Sequence, residues 1–156
     1  MDRASAIAEL RALPDHVADT CAGLDDAQIR RRPADGEWSL LEIACHLRDY
    51  AEEEGLRVRR IIEEDNPELQ AWDEQQRAAE RRYLEEDPRR VLTTLRAFWT
   101  GLAYRLEHLS DSEWQRRATH PERGAITPAI RLEHQAAHAQ THLQQMRATR
   151  NAITPA

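Results

Sequence analysis

The chain contains no lysine: all 22 of its basic residues are arginine, set against 28 acidic residues for a net charge of −6. That balance argues against a general nucleic-acid binder. The one basic run, Arg30-Arg31-Arg32, is too short for a binding patch and reads as a solvated corner. Glycine is scarce (5 of 156 residues), phenylalanine occurs once and β-branched residues are few, which disfavours a β-sandwich or barrel. There are two cysteines, Cys21 and Cys45, in no CxxC and no zinc-ribbon spacing. They therefore read as small buried apolar side chains, not as a disulfide framework. No apolar run approaches a membrane span and the first residues carry charge without a signal-peptide pattern. The expectation is a cytoplasmic protein with neither membrane nor nucleic acid as a partner.

What is abundant is Ala, Leu, Glu, Gln and Arg, all strong helix formers. Ile7, Leu10, Leu13, Val17, Cys21 and Leu24 recur at the period of one helical face, with a kink or break expected at Pro14 and a stop at Gly23. Ser39 followed by Glu42 is a capping box that opens a second helix, whose apolar stripe runs from Leu40 to Ile62 and is interrupted at Glu54. Residues 68–86 read as a connection with a short helix in it. Asp87-Pro88 then starts a third long helix and Thr127-Pro128 a fourth. Residues 1–150 form a single domain in this reading, and 151–156 a C-terminal tail.

The segment Leu24–Ile29 echoes Leu109–Trp114; each is followed by a loop, a capped helix start (Ser39, Thr127) and a histidine seven residues on (His46, His134). Two similar helical hairpins, and so an all-α, up-and-down four-helix bundle, are the expectation.

The last helix carries His134, His138 and His142, spaced four apart. Residues i and i+4 share a helix face roughly 6 Å apart, so two imidazoles can converge on one ion, whereas a third at i+8 is rotated away by about 80°. One helix therefore supplies two ligands easily and three poorly. The further ligand is expected from a facing helix, where His46 is the natural candidate. His16, His108 and His120 read as ordinary solvated or hydrogen-bonded side chains.

Residues Trp38–Asp49 (WSLLEIACHLRD) resemble the WSxxExxxHLxD signature of the DinB-like superfamily, and His138–Gln145 (HAQTHLQQ) resemble its HxxxHxxQ signature. The connection Asn66–Asp73 is similar to that of a branch of the same superfamily. The resemblance implies a four-helix bundle, commonly a homodimer, with one divalent metal ion, Zn or Ni, on His46, His138 and His142. It places Asp49 and Gln145 as groups that orient an imidazole, and His134 as a wall or supporting residue. It also implies a metal-dependent S-transferase acting on a low-molecular-weight thiol and an electrophile. The competing expectations are a metal-dependent hydrolase and a non-enzymatic, stress-associated metal-binding dimer. No catalytic acid or base is identifiable from sequence.

Overall fold

The computed structural model describes residues 2–154. Four long helices make the bundle: α1 (Arg3–Cys21), α3 (Leu40–Glu63), α5 (Pro88–Glu107) and α7 (Pro128–Ile153). Between them lie three short helices, α2 (Asp26–Arg30), α4 (Glu74–Glu80) and α6 (Asp111–Trp114), and a hairpin of β1 (Ala118–His120) and β2 (Gly124–Ile126). The all-α four-helix bundle expected from the sequence is thus present. The small hairpin was not anticipated.

The helix starts follow their capping chemistry. The Ser39 hydroxyl accepts from the Glu42 backbone N–H, and the Glu42 carboxylate returns to the Ser39 N–H at 2.9 Å. The same device recurs at Asp25–Gln28 on α2 and at Ser110–Glu113 on α6. Both halves of the chain therefore repeat one order: long helix, boxed short helix, loop, long helix. Two expectations are corrected. The break admitted at Pro14 does not occur: α1 is assigned as one helix through it, with Pro14 buried beside Leu10, Leu13 and Val17. Residues 151–153 are not tail: α7 continues to Ile153, buried in the core, and Arg150 ties the turn to the Ala22 carbonyl at 3.0 Å. Pro155 and Ala156, the end of the expected tail, lie outside the described residues.

Contacts between the helices fix their directions. Arg11 pairs with Glu107 and Arg96 with Asp15, so α1 and α5 are antiparallel. Gln140 reaches Glu9 and Arg150 reaches Thr20, so α1 and α7 are parallel. His46 meets His138, Tyr50 meets His134 and Glu54 meets Arg131, so α3 and α7 are antiparallel. It follows that α3 and α5 run parallel. Direction alternates within each half, α1 against α3 and α5 against α7, but not at the α3–α5 step, so the up-and-down order expected from the sequence gives way there to a parallel pair. A parallel neighbour needs a long return crossing, and residues 64–87 supply it along the length of the bundle.

That crossing is pinned twice. At its start, Leu69 N–H donates to the Thr119 carbonyl (2.8 Å) and Thr119 N–H to the Pro67 carbonyl (2.9 Å), joining the linker to β1. A small second core of Ile61, Leu69, Ala118 and Ile126 lies beneath. At its end, Asp49 accepts from Arg48, Arg81 and the Tyr83 hydroxyl, each at 2.8 Å. The hairpin turns through Gly124 at φ +70°, a left-handed conformation that favours glycine.

Where α3 meets the first turn of α7, Glu54 is wholly buried (0 % exposed) and accepts from Arg57 (2.9 Å), Arg131 and Gln135 (2.9 Å). Removing a buried carboxylate strands two guanidinium groups, and losses of about 3–5 kcal/mol follow from breaking such pairs. Glu54→Ala is expected to lower unfolding stability by that amount in urea titrations, whereas Glu63→Ala, on the exposed end of α3, is expected to change it by less than about 1 kcal/mol. Equal effects would remove the buried network as the organiser of this face.

Candidate metal centre

His46 lies in the second turn of α3, at a register set by the Ser39 cap. His138 and His142 lie one turn apart on α7. Antiparallel packing brings all three together. His46 Nε2 is 2.8 Å from His138 Nε2, and one nitrogen from each of the three rings lies within 4.8 Å of the others. His142 Nδ1 faces Gln145 Oε1 at 2.8 Å. Because the amide oxygen accepts, Nδ1 carries the proton and Nε2 of His142 is left as a bare lone pair.

The surroundings are aromatic. Tyr50 stacks on His138 with ring centroids 3.8 Å apart. Trp38 lies 5.2 Å from His46, and Trp72, carried by the linker, is parallel to His46 within 7° at 6.0 Å. Arg77 on α4 stands 5.3 Å from the Trp72 ring. Burial, together with the neighbouring His142, pushes His46 down to about 3, and burial with the neighbouring histidines pushes His138 down to about 2. Burial also lowers His142, opposed by its bond to Gln145 and by the charge of Glu74.

This donor set fits a divalent cation. Three imidazoles, held neutral by burial, bring one nitrogen each together, and one of these, the buried His46 Nε2, has only another imidazole for a partner. Tetrahedral coordination at about 2.0–2.1 Å sets ligand nitrogens about 3.3 Å apart, so bringing an ion in requires only small ring movements from the observed spacing. The Gln145 bond holds the His142 ring, as expected of a group that orients an imidazole.

The other residues singled out in the sequence fall elsewhere. Asp49 hydrogen-bonds no imidazole among the described residues; its carboxylate is taken up by Arg48, Arg81 and Tyr83, which anchor the linker. His134 lines the site's flank with Nδ1 against the Tyr50 hydroxyl at 2.8 Å. Cys21 and Cys45 are free and buried, pushed up by burial to about 11 and about 12, and are no nucleophiles at neutral pH. Sequence reasoning missed Tyr50 as a site residue, although it sits one turn after His46 on the same face. It could not place Trp72, which depends on the path of the linker.

In the metal-free protein, His46 and His138 resist protonation while unfolded imidazoles titrate near 6.5. Below that pH the unfolded chain binds protons that the folded chain refuses, so the stability these residues contribute is whole above about 6.5 and is lost as pH falls. Urea midpoints of metal-free protein are expected to drop between pH 7 and 5, with a slope steeper by up to about two protons than in the His46→Gln/His138→Gln double variant. Identical slopes would contradict two buried neutral imidazoles.

Comparison with known proteins agrees with this geometry. A relative from Geobacillus thermodenitrificans, named "Putative metal-dependent hydrolase", is 31% identical over 113 residues, covering 70% of this chain and 62% of its own length. One from Oceanobacillus iheyensis under the same description is 27% identical, covering 88% and 79%. The match to the first thus spans less than two thirds of that relative. Among solved structures, YfiT from Bacillus subtilis, described as "a probable metal-dependent hydrolase with an unusual four-helix bundle topology", superposes with a TM-score of 0.85 at 21% identity, over 94% of this chain and 85% of that one. A mycothiol-dependent maleylpyruvate isomerase superposes with a TM-score of 0.74 at 11% identity, over 94% and 61%. At these identities the two structures speak for the fold alone. The sequence profile of the DinB superfamily matches residues 3–146, nearly the whole chain, and the chain belongs to that superfamily.

Proposed function

We propose that the protein is a metal-dependent transferase that activates a low-molecular-weight thiol for attack on an electrophile, with His46, His138 and His142 holding one divalent ion, Zn or Ni. The observation that carries this reading is the composition of the cluster: three imidazoles, and no fourth ligand from the described residues. Three protein ligands leave a position open, as in catalytic rather than structural zinc sites. When bound, such an ion supplies the Lewis acidity that makes a thiol or a water nucleophilic near neutral pH.

The chain's own residues supply the setting. Gln145 fixes the tautomer of His142, and Trp38, Tyr50 and Trp72 wall the imidazoles from bulk water. In the transfer, the thiol sulfur bonds to the electrophilic carbon, the leaving group departs with its electron pair and the thiol proton passes to solvent. No protein base is required, which suits a cluster that contains no carboxylate. The mycothiol-dependent isomerase supports the reading from another side, since this fold accommodates a thiol-dependent reaction there.

A hydrolase is the second reading, favoured by the names of the curated relatives and by one residue. Glu74, at the start of α4, is the acid whose charge acts on His142, and in this reading it serves water as a base.

Two measurements decide. Elemental analysis of tag-free protein is expected to find a divalent metal in wild type and its loss in His46→Ala and in His138→Ala; wild type that holds none after reconstitution would end both readings. Metal-loaded protein is then expected to consume chlorodinitrobenzene faster than the thiol-only control, with Glu74→Gln retaining that rate within about twofold. Hydrolysis of ester substrates without thiol, lost by about a hundredfold in Glu74→Gln, would replace the transferase by the hydrolase.

A further inference from the structure

Beside the imidazole cluster the hairpin, the linker and α7 enclose a second space of about 120 Å³. Its walls include Arg57, Arg131, His120, Arg123, Tyr50 and His134. Tyr50 and His134 stand between it and the cluster: the first stacks on His138 at 3.8 Å and the second lies 6.2 Å from the same ring.

We propose that this space is a carboxylate pocket, and that a reactant entering the site carries a single carboxylate seated there on Arg131, Arg123 and His120. That the guest is a reactant rests on the function proposed above; that the pocket takes a carboxylate does not.

The donors are already in position. Arg131 is 2 % exposed, with Nε and Nη2 spent on Glu54 and Nη2 also 3.4 Å from the Tyr50 hydroxyl. Its Nη1 donates to nothing among the described residues, so a buried guanidinium offers an unused donor at the cavity wall. His120, 6 % exposed, accepts the Glu122 backbone N–H on Nδ1 at 3.2 Å, which leaves the proton on Nε2 as a second donor. Arg123 supplies a third group from the exposed turn of the hairpin.

The arginines leave one charge to spare at the wall formed by Tyr50 and His134. Arg57 is satisfied by Glu53, Glu54 and the Gln70 carbonyl, and Arg131 by both oxygens of Glu54. Three arginine charges, those of Arg57, Arg123 and Arg131, act at Tyr50 and at His134, opposed there by the single acid Glu54. Arg123 pairs with no acid among the described residues, Arg131 keeps Nη1 free, and planar guanidinium groups suit carboxylate oxygens. Glu74 and Glu122 also line the space. They disfavour a dianion, and so select a carboxylate over phosphate.

The test uses metal-free protein, so that no probe can bind a metal ion. Acetate, acetamide and phosphate are titrated at constant ionic strength while backbone amides are followed by NMR. Acetate is expected to give saturable shifts at residues 120–124 and acetamide none. The apparent Kd for acetate is expected to rise about tenfold in Arg123→Ala, the loss of one charge-assisted contact, to recover in part in Arg123→Lys, and to stay unchanged in Arg117→Ala at the base of the hairpin. Equal responses to acetate and acetamide, indifference to Arg123→Ala, or tighter binding of phosphate than acetate would each overturn the pocket. A protein that takes up no metal still reports on this pocket, and loss of the pocket leaves metal content untouched.

Turnover then identifies which reactant bears the group. Iodoacetate is compared with iodoacetamide as electrophile, and 3-mercaptopropionate with 2-mercaptoethanol as thiol. The acid of one pair is expected to show the lower KM, an advantage lost in Arg123→Ala with kcat retained. No preference in either pair would overturn the assignment of the guest as a reactant.

Discussion

The contact on which the rest of the molecule depends is the face between α3 and α7, and the buried ion pair of Glu54 with the first turn of α7 at Arg131. Three successive rungs cross this face: Glu54 to Arg131, Tyr50 to His134, His46 to His138. A slip of one helical turn, about 5.4 Å, would set His46 against His134 and leave Glu54 facing no cation on α7. An apolar seam of the same length tolerates such a slip far more easily, because one leucine serves nearly as well as the next. Burying charge on both helices attaches a penalty of several kcal/mol to every wrong register. The histidine cluster therefore inherits its geometry from an ion pair two turns away.

The second constraint is direction. Because α3 and α5 are parallel, the chain has to return along the bundle, and the return path crosses the open side of the cluster. Trp72 over His46 and the Asp49–Arg81–Tyr83 anchor are consequences of that crossing. The hairpin completes the enclosure by pairing its first strand with the linker at Thr119. The roof over the site is thus made of segments that carry little regular structure of their own. They are ordered by a few backbone hydrogen bonds and by buried arginines, the kind of scaffold on which binding residues accumulate.

The sequence makes the helices legible because each is announced by local chemistry: Ser39–Glu42, Asp87-Pro88 and Thr127-Pro128 are caps whose partners lie within four residues. The apolar period that follows each is equally local. The His138–His142 pair is legible for the same reason, since one turn of helix brings it together. What the sequence leaves open depends on distant partners. Nothing near Asp49 signals that its carboxylate will be taken by Arg81 and Tyr83 instead of by an imidazole. Nothing near His120 or Arg123 signals that a three-residue turn will carry them beside α7. The unbroken passage of α1 through Pro14 is likewise a tertiary result, decided by the packing of Leu10, Leu13 and Val17. The order of helices around the bundle belongs here too, for periodicity fixes which face is buried and says little about which neighbour buries it.

One local signal did mark the site. On α3 the buried face is apolar except at a few positions, among them His46, Asp49 and Glu54. These three serve different ends: His46 joins the cluster, Asp49 anchors the linker and Glu54 sets the register. A helix selected for stability alone would place leucine or alanine at all three, since desolvating an imidazole or a carboxylate is unfavourable and apolar residues pack without partners. The departures from the pattern are where local preference yields to function. In His46 the penalty is not even relieved within the chain, because Nδ1 finds no partner among the described residues and the ring is held neutral by burial. Glu54 and Asp49 are each matched by arginines, so their burial is explained by the fold. His46 is matched by no charge; its Nε2 meets His138 instead, in a three-imidazole donor set that a bound cation would satisfy.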